Sequence, residues 1–172
     1  MTMNISELNA LDNQGATDAF GTCCTSVKWI ESMAQARPFL DANDAQQVAL
    51  DMWAMCEESD FLQAFEGHPK IGDVSSLRKK YANTKGLASN EQSGVNDANE
   101  AALQALCDGN NEYDDKNGFI FIVYATGKSA AQMLEILQAR LPNDRDTELK
   151  NAALEQSKIT ALRINKLLGL AN

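Results

Sequence analysis

Apolar positions recur at a period near 3.6 along most of the chain, the spacing that lines one face of an α-helix. After Ser26, the residues Val27, Ile30, Met33 and Ala34 mark such a face. Pro38 ends it, because proline lacks the N–H of the helical ladder and its ring collides with the preceding turn. Ala45, Val48, Ala49, Met52 and Cys56 form the next stripe, and a helix is expected around residues 61–65. Residues 97–107 also read as helical, with Ala98, Ala102, Ala105 and Leu106 on one side. Ser129 opens Ser-Ala-Ala-Gln, a capping box with Gln132 at the third helical position, ahead of Ala130, Met133, Leu134, Leu137 and Leu141. A long last helix is expected from about residue 146 to residue 168.

One run departs from this period. Phe119-Ile120-Phe121-Ile122-Val123-Tyr124 is aromatic and β-branched and follows Gly118, the composition of a buried strand. No second run of that kind exists to pair with it. The expected architecture is therefore all-α, a helical bundle with one short extended segment near 118–124. The three prolines, Pro38, Pro69 and Pro142, lie between helical segments, and no Gly/Ser linker divides the chain, so a single domain of residues 1–172 is expected.

Charge and composition narrow the function. The chain has 172 residues, with 15 Lys+Arg against 24 Asp+Glu, a formal charge of −9. That balance argues against binding nucleic acid, which needs clustered cations to neutralise phosphates, and against adhesion to anionic membranes. No stretch approaches the roughly 18 apolar residues of a membrane span. The single histidine excludes zinc sites built on several imidazoles. The four cysteines, Cys23, Cys24, Cys56 and Cys107, make no C-x-x-C pair and are expected as buried, reduced thiols. With neither a basic, apolar leader at the start nor a peroxisomal address at the end, the expected location is cytoplasmic.

Three places offer chemistry. His68 sits in Gly-His-Pro-Lys-Ile-Gly-Asp, where Pro69 biases it towards extended backbone and stops the preceding helix. A histidine in a shaped loop suits proton transfer near neutral pH, and equally fits a packing or surface role. On a helical wheel of the last helix, Leu149, Ala152, Gln156, Ile159, Arg163 and Leu167 share one face, so Gln156 and Arg163 are polar groups on an otherwise apolar stripe. A guanidinium buried there needs a carboxylate or a bound anion; otherwise its stem packs and its head reaches solvent. Glu91 and Gln92 follow Ser89, a possible helix cap, and by themselves read as a solvated helix start. No phosphate-cradling glycine loop, nucleophile elbow or calcium loop is present, and the pairs Asp114-Asp115 and Asp144/Asp146 read as caps and surface.

Taken in order, several boxes resemble the OHCU decarboxylase family. Phe-Gly-Thr-Cys-Cys-Thr-Ser-Val-Lys-Trp at 20–29 with Ala36-Arg37-Pro38-Phe39, Gly-His-Pro-Lys-Ile-Gly at 67–72, and Glu91-Gln92-x-Gly94 are similar to family motifs. So are the run from Gly118 to Ser129 and the closing segments at 140–149 and 162–164. The resemblance implies an all-helical fold that needs no metal and no organic cofactor, a small-molecule substrate and a homodimer. It implies decarboxylation of 2-oxo-4-hydroxy-4-carboxy-5-ureidoimidazoline to (S)-allantoin in urate catabolism. Carried over residue by residue, His68 and Glu91 are the catalytic histidine and glutamate and Arg163 the substrate-binding arginine. Pro69, Gln92, Phe119, Ile120, Phe121 and Ile122 fall in boxes that line the family's pocket. Members often carry serine three residues before the glutamate; this chain has Ala88 there, with Ser89 beside it as the expected hydroxyl contact. The rival reading is a helical protein-interaction module, in which Arg163 is a packed structural residue.

Overall fold

The computed structural model describes residues 2–70, 73–81 and 92–170, and the side chains of all of these except 92–99. Among the described residues the regular structure is entirely helical. The chain divides into two compact units, one of residues 1–68 with 151–172 and one of residues 69–150.

The first unit begins with five helices: α1 (Ile5–Ala10), α2 (Asn13–Gly21), α3 (Val27–Ala36), α4 (Ala42–Ala54) and α5 (Glu58–Glu66). Short polar side chains start four of them. The side chains of Asn4, Asp12, Ser26 and Asp41 each accept a backbone N–H of the first turn, which would otherwise go unpaired. Its core gathers Leu8, Phe20, Trp29, Met33, Phe39, Phe65 and the last helix, α9 (Arg145–Leu167), whose residues from Asn151 onward belong to this unit. Two indoles fasten the packing: Trp29 Nε1 donates to Ala49 O at 3.1 Å and Trp53 Nε1 donates to Ala153 O at 2.9 Å. Gln46 Nε2 adds a donation to Ala161 O at 2.8 Å, so α4 lies along α9. The helix ends at Gly169, with φ +67°, where Leu170 N donates to Asn165 O and Gly169 N to Lys166 O, a left-handed cap.

The second unit contains α6 (Val74–Tyr81), α7 (Gln92–Asn117), α8 (Ala130–Arg140) and the start of α9. The capping box of Ser129 and Gln132 is present, with Gln132 N donating to Ser129 Oγ and Ser129 N to Gln132 Oε1. Gly109 lets α7 approach α8, since a Cβ there would stand 2.6 Å from Leu137 Cδ2. Gly118, at φ +79°, turns the chain out of α7 into backbone without regular structure over residues 120–125.

The structure moves some sequence-derived faces. Trp29 rather than Val27 enters the core of α3, and Val27 is exposed. On α7 the buried side is Leu103, Leu106 and Cys107, while Ala102 and Ala105 are half-buried. The larger side chains bury more apolar area per residue and so set the orientation. The side chain of Ala98 lies outside the described residues.

Candidate active site

His68 is placed by the end of α5. The backbone of Gly67 caps that helix, and His68 N donates to Phe65 O at 3.1 Å. Gly67 is needed for close approach, because a Cβ would come within 2.3 Å of Thr25 Oγ1. Thr25 in turn donates its hydroxyl to Gln63 O at 3.0 Å, and Val27 N donates to Gln63 Oε1 at 2.8 Å. The loop between α2 and α3 is thus clamped to the C-terminus of α5, which brings Cys23 and Cys24 to the same end of the unit as His68.

The half-buried imidazole meets α9. His68 Nε2 lies 2.6 Å from Gln156 Oε1, and Gln156 Nε2 donates to Thr160 Oγ1 at 3.1 Å, one helical turn on. Burial raises the Cys24 thiol to about 11 and so keeps it protonated, with the nearby Thr160 hydroxyl opposing the shift. Arg163 stands beside this line, its Nη1 donating to Cys23 O at 3.3 Å. Burial pushes the His68 pKa below its ordinary value, and the Arg163 charge adds to that shift, while the hydrogen bond that His68 donates to Gln156 opposes it. Burial and the neighbouring cation thus favour the neutral imidazole, able to take up a proton and return it.

Arg163 is half-buried, which corrects the wheel that put it on the buried stripe. The buried face of α9 runs through Glu148, Ala152, Gln156, Thr160 and Ile164, one position round from Ile159 and Arg163. The stripe was read from apolar side chains, but three of its members are polar groups with partners inside the protein. Arg163 also borders a cleft of about 610 Å³ between α2, α9 and the segments that flank α1, lined by Thr2, Met3 and Leu11 together with Lys166 and Asp18. His68 does not line that cleft, so Arg163 is the residue common to both.

The other expected residues are distributed as follows. Glu91 and Ser89 lie outside the described residues, as does the side chain of Gln92, the first residue of α7. Pro69 is exposed directly after His68. Phe119, Phe121 and Ile122 are buried within the second unit, Ile120 is half-buried there, and Phe119 and Phe121 pack edge-on against Tyr113. The structure thus joins His68, Gln156 and Arg163. Thr160 and Cys24 were not singled out from the sequence; Gln156 was, as a polar residue among apolar ones, and Thr160 could have been found at four residues beyond it. Among the described residues no three His, Cys, Asp or Glu side chains come together as a metal-ligand set. No described helix is long and apolar enough to cross a membrane.

Fold and site together define a helical protein built on one neutral histidine held by a buried amide beside an arginine. The sequence profile of the OHCU decarboxylase family matches residues 9–165. The uric acid degradation bifunctional protein TTL of Arabidopsis thaliana is 36% identical over 151 residues, which cover 87% of this chain and 46% of that protein. The 2-oxo-4-hydroxy-4-carboxy-5-ureidoimidazoline decarboxylase of Halalkalicoccus jeotgali is 22% identical over 96% of this chain and 92% of its own length. A crystal structure of OHCU decarboxylase in the presence of (S)-allantoin superposes with a TM-score of 0.71 at 35% identity, covering 88% of this chain and 98% of that one. The chain spans about half of the Arabidopsis bifunctional protein and a third of the Bacillus subtilis bifunctional protein PucL. The chain belongs to the OHCU decarboxylase family.

Proposed function

We propose that this chain decarboxylates 2-oxo-4-hydroxy-4-carboxy-5-ureidoimidazoline to (S)-allantoin and CO₂, using side chains and backbone alone, without metal or organic cofactor. The observation that carries the reading is the seating of the single imidazole against Gln156 beside Arg163, in a chain of this family. In the reaction the bond to the carboxylate breaks and its electron pair moves into the neighbouring C=N, whose nitrogen takes a proton. The resulting enol then loses its hydroxyl proton as the carbonyl forms, and a proton adds to the ureido-bearing carbon from one face. Arg163 anchors an anionic or carbonyl oxygen through its planar fork. His68 handles a proton, with Glu91 aligned on the substrate as the second proposed catalytic group. Pro69, Ser89, Gln92 and residues 119–122 are the proposed pocket wall.

The family match runs from residue 9 to residue 165 and so includes sequence from both compact units, which supports one functional domain. The four cysteines are buried and form no disulfide among the described residues, which fits a reducing compartment, and we place the reaction in the cytoplasm. A homodimer is the proposed assembly, tested by sedimentation. The test of function is circular dichroism on freshly generated substrate. Enzyme should speed the appearance of optical activity and give the (S) product; an unchanged, racemic course would sink the reading and favour an interaction module.

A further inference from the structure

We propose that Gln156 is a positioning residue that holds His68 as the neutral Nε2–H tautomer, so that Nδ1 is the nitrogen that exchanges a proton with substrate. This rests on the decarboxylase reading and specifies which atom of the histidine acts. The argument starts from a buried amide. Gln156 is 1% exposed and Thr160 6% exposed, so neither can turn to water for its hydrogen bonds. An amide oxygen has lone pairs and no hydrogen, so the atom 2.6 Å from Gln156 Oε1 must supply one, and that atom is His68 Nε2. A neutral imidazole has one N–H, which leaves the lone pair on Nδ1. No hydrogen bond to Nδ1 is found among the described residues.

The direction of the amide is set from behind. Gln156 Nε2 donates to Thr160 Oγ1 at 3.1 Å, which leaves Oε1 as the amide atom facing the imidazole. The line from Thr160 to the imidazole contains no ion. That is the difference a glutamate at 156 would make: it would accept from Nε2–H in the same geometry but bring a negative charge that favours the imidazolium. Glutamine orients the ring and leaves it uncharged, ready to accept a proton beside the cationic Arg163. The reacting carbon must therefore approach on the Nδ1 side of the ring, the side nearer the backbone of His68.

The chain has one histidine, so a ¹⁵N-labelled sample gives one imidazole in long-range ¹⁵N–¹H spectra. The wild type should show the Nε2–H tautomer above its titration midpoint. Gln156→Leu should mix the tautomers and lower kcat by about tenfold or more, the scale of one lost orienting hydrogen bond, with KM changed by less than about threefold. Gln156→Glu should restore the tautomer but move the acid limb of the pH–rate profile upward. Thr160→Val should fall between wild type and Gln156→Leu. An active wild type whose imidazole is the Nδ1–H tautomer overturns the proposal, and this needs no variant to fold. So does a Gln156→Leu protein that matches wild type in tautomer and kcat. A wild type that leaves the racemic course unchanged instead overturns the decarboxylase reading, and with it the catalytic use of Nδ1.

Discussion

Each unit buries a polar network, and the two differ in whether the network closes. In the second unit Arg140 Nε and Tyr113 Oη both donate to Glu148 Oε1 at 2.7 Å, and Asn143 Nδ2 donates to Oε2 at 2.9 Å. Arg140 Nη1 donates to Ile122 O at 2.6 Å, and its guanidinium lies over the Phe121 ring at 4.6 Å. Donors and acceptors there answer one another, and burial with the Glu148 hydrogen bond keeps the Tyr113 phenol protonated far above its ordinary range. In the first unit the line from Thr160 through Gln156 carries no ion and ends on a half-exposed ring with one nitrogen unused. A closed, charged network holds backbone: here it pins the carbonyl of Ile122 and so the run between α7 and α8. An open, neutral one ends in a group that can still react.

The comparison is broken most severely in the closed network. Glu148→Ala leaves Arg140 charged and buried without its counter-ion, and the loss of an ion-pair partner in such a place costs about 3–5 kcal/mol. Denaturant midpoints should fall accordingly. Replacing Arg140 by Met and Glu148 by Leu together should recover part of the loss, because the stranded charge goes with its partner. A Glu148→Ala protein as stable as wild type would show that the ion pair is not what holds the 118–125 segment.

The open network should respond in activity and not in stability. His68→Ala should reduce turnover by about 100-fold or more, the scale of general acid–base assistance, while the melting temperature stays within about 2 °C. Near-wild-type turnover would remove His68 from the reaction. Arg163→Lys keeps charge but loses the bidentate fork, so substrate affinity should weaken by about 1.5–3 kcal/mol in saturation kinetics. The guanidinium has only one backbone contact among the described residues and no ion pair there, so folding should be unaffected. A large drop in melting temperature with an unchanged KM would make Arg163 a structural residue.

The sequence exposed the local parts of this arrangement and hid the long-range ones. The Ser129–Gln132 box and Gly118 before the run at 119–124 are signals within a few residues of what they determine, and each stands where it is expected. The helices α1, α2 and α6 were not read, since they are short and their apolar residues too few to fix a period. The wheel of α9 missed by one position because Glu148 and Thr160 are buried for their hydrogen bonds, which a count of apolar residues cannot register. The bond between His68 and Gln156 spans 88 residues, and no pattern along the chain states it. What the sequence did show was an anomaly, a glutamine on an apolar stripe, whose meaning needed the fold.

The smallest expected effect is a pH dependence that separates the two networks by sign. The folded state binds the His68 proton less tightly than the unfolded chain, because burial and Arg163 both disfavour the imidazolium. As pH falls through the ordinary histidine value of about 6.5, the unfolded state takes up a proton that the folded state does not yet bind. Wild-type stability should therefore decline in that window, with a slope from this one group of at most about 1.4 kcal/mol per pH unit, and the decline should stop below the folded pKa. His68→Ala should flatten the slope. Arg163→Met should shrink it from the other side, since removing the cation moves the folded pKa back towards the unfolded one. The phenol of Tyr113 has no proton to exchange in this range, so Tyr113→Phe should leave the slope as it was. Denaturant midpoints measured from pH 7.5 to 5 on these four proteins give the answer. A wild type that gains stability as pH falls, relative to His68→Ala, would mean that the folded state prefers the imidazolium, and His68 would then act as an acid poised with its proton already bound.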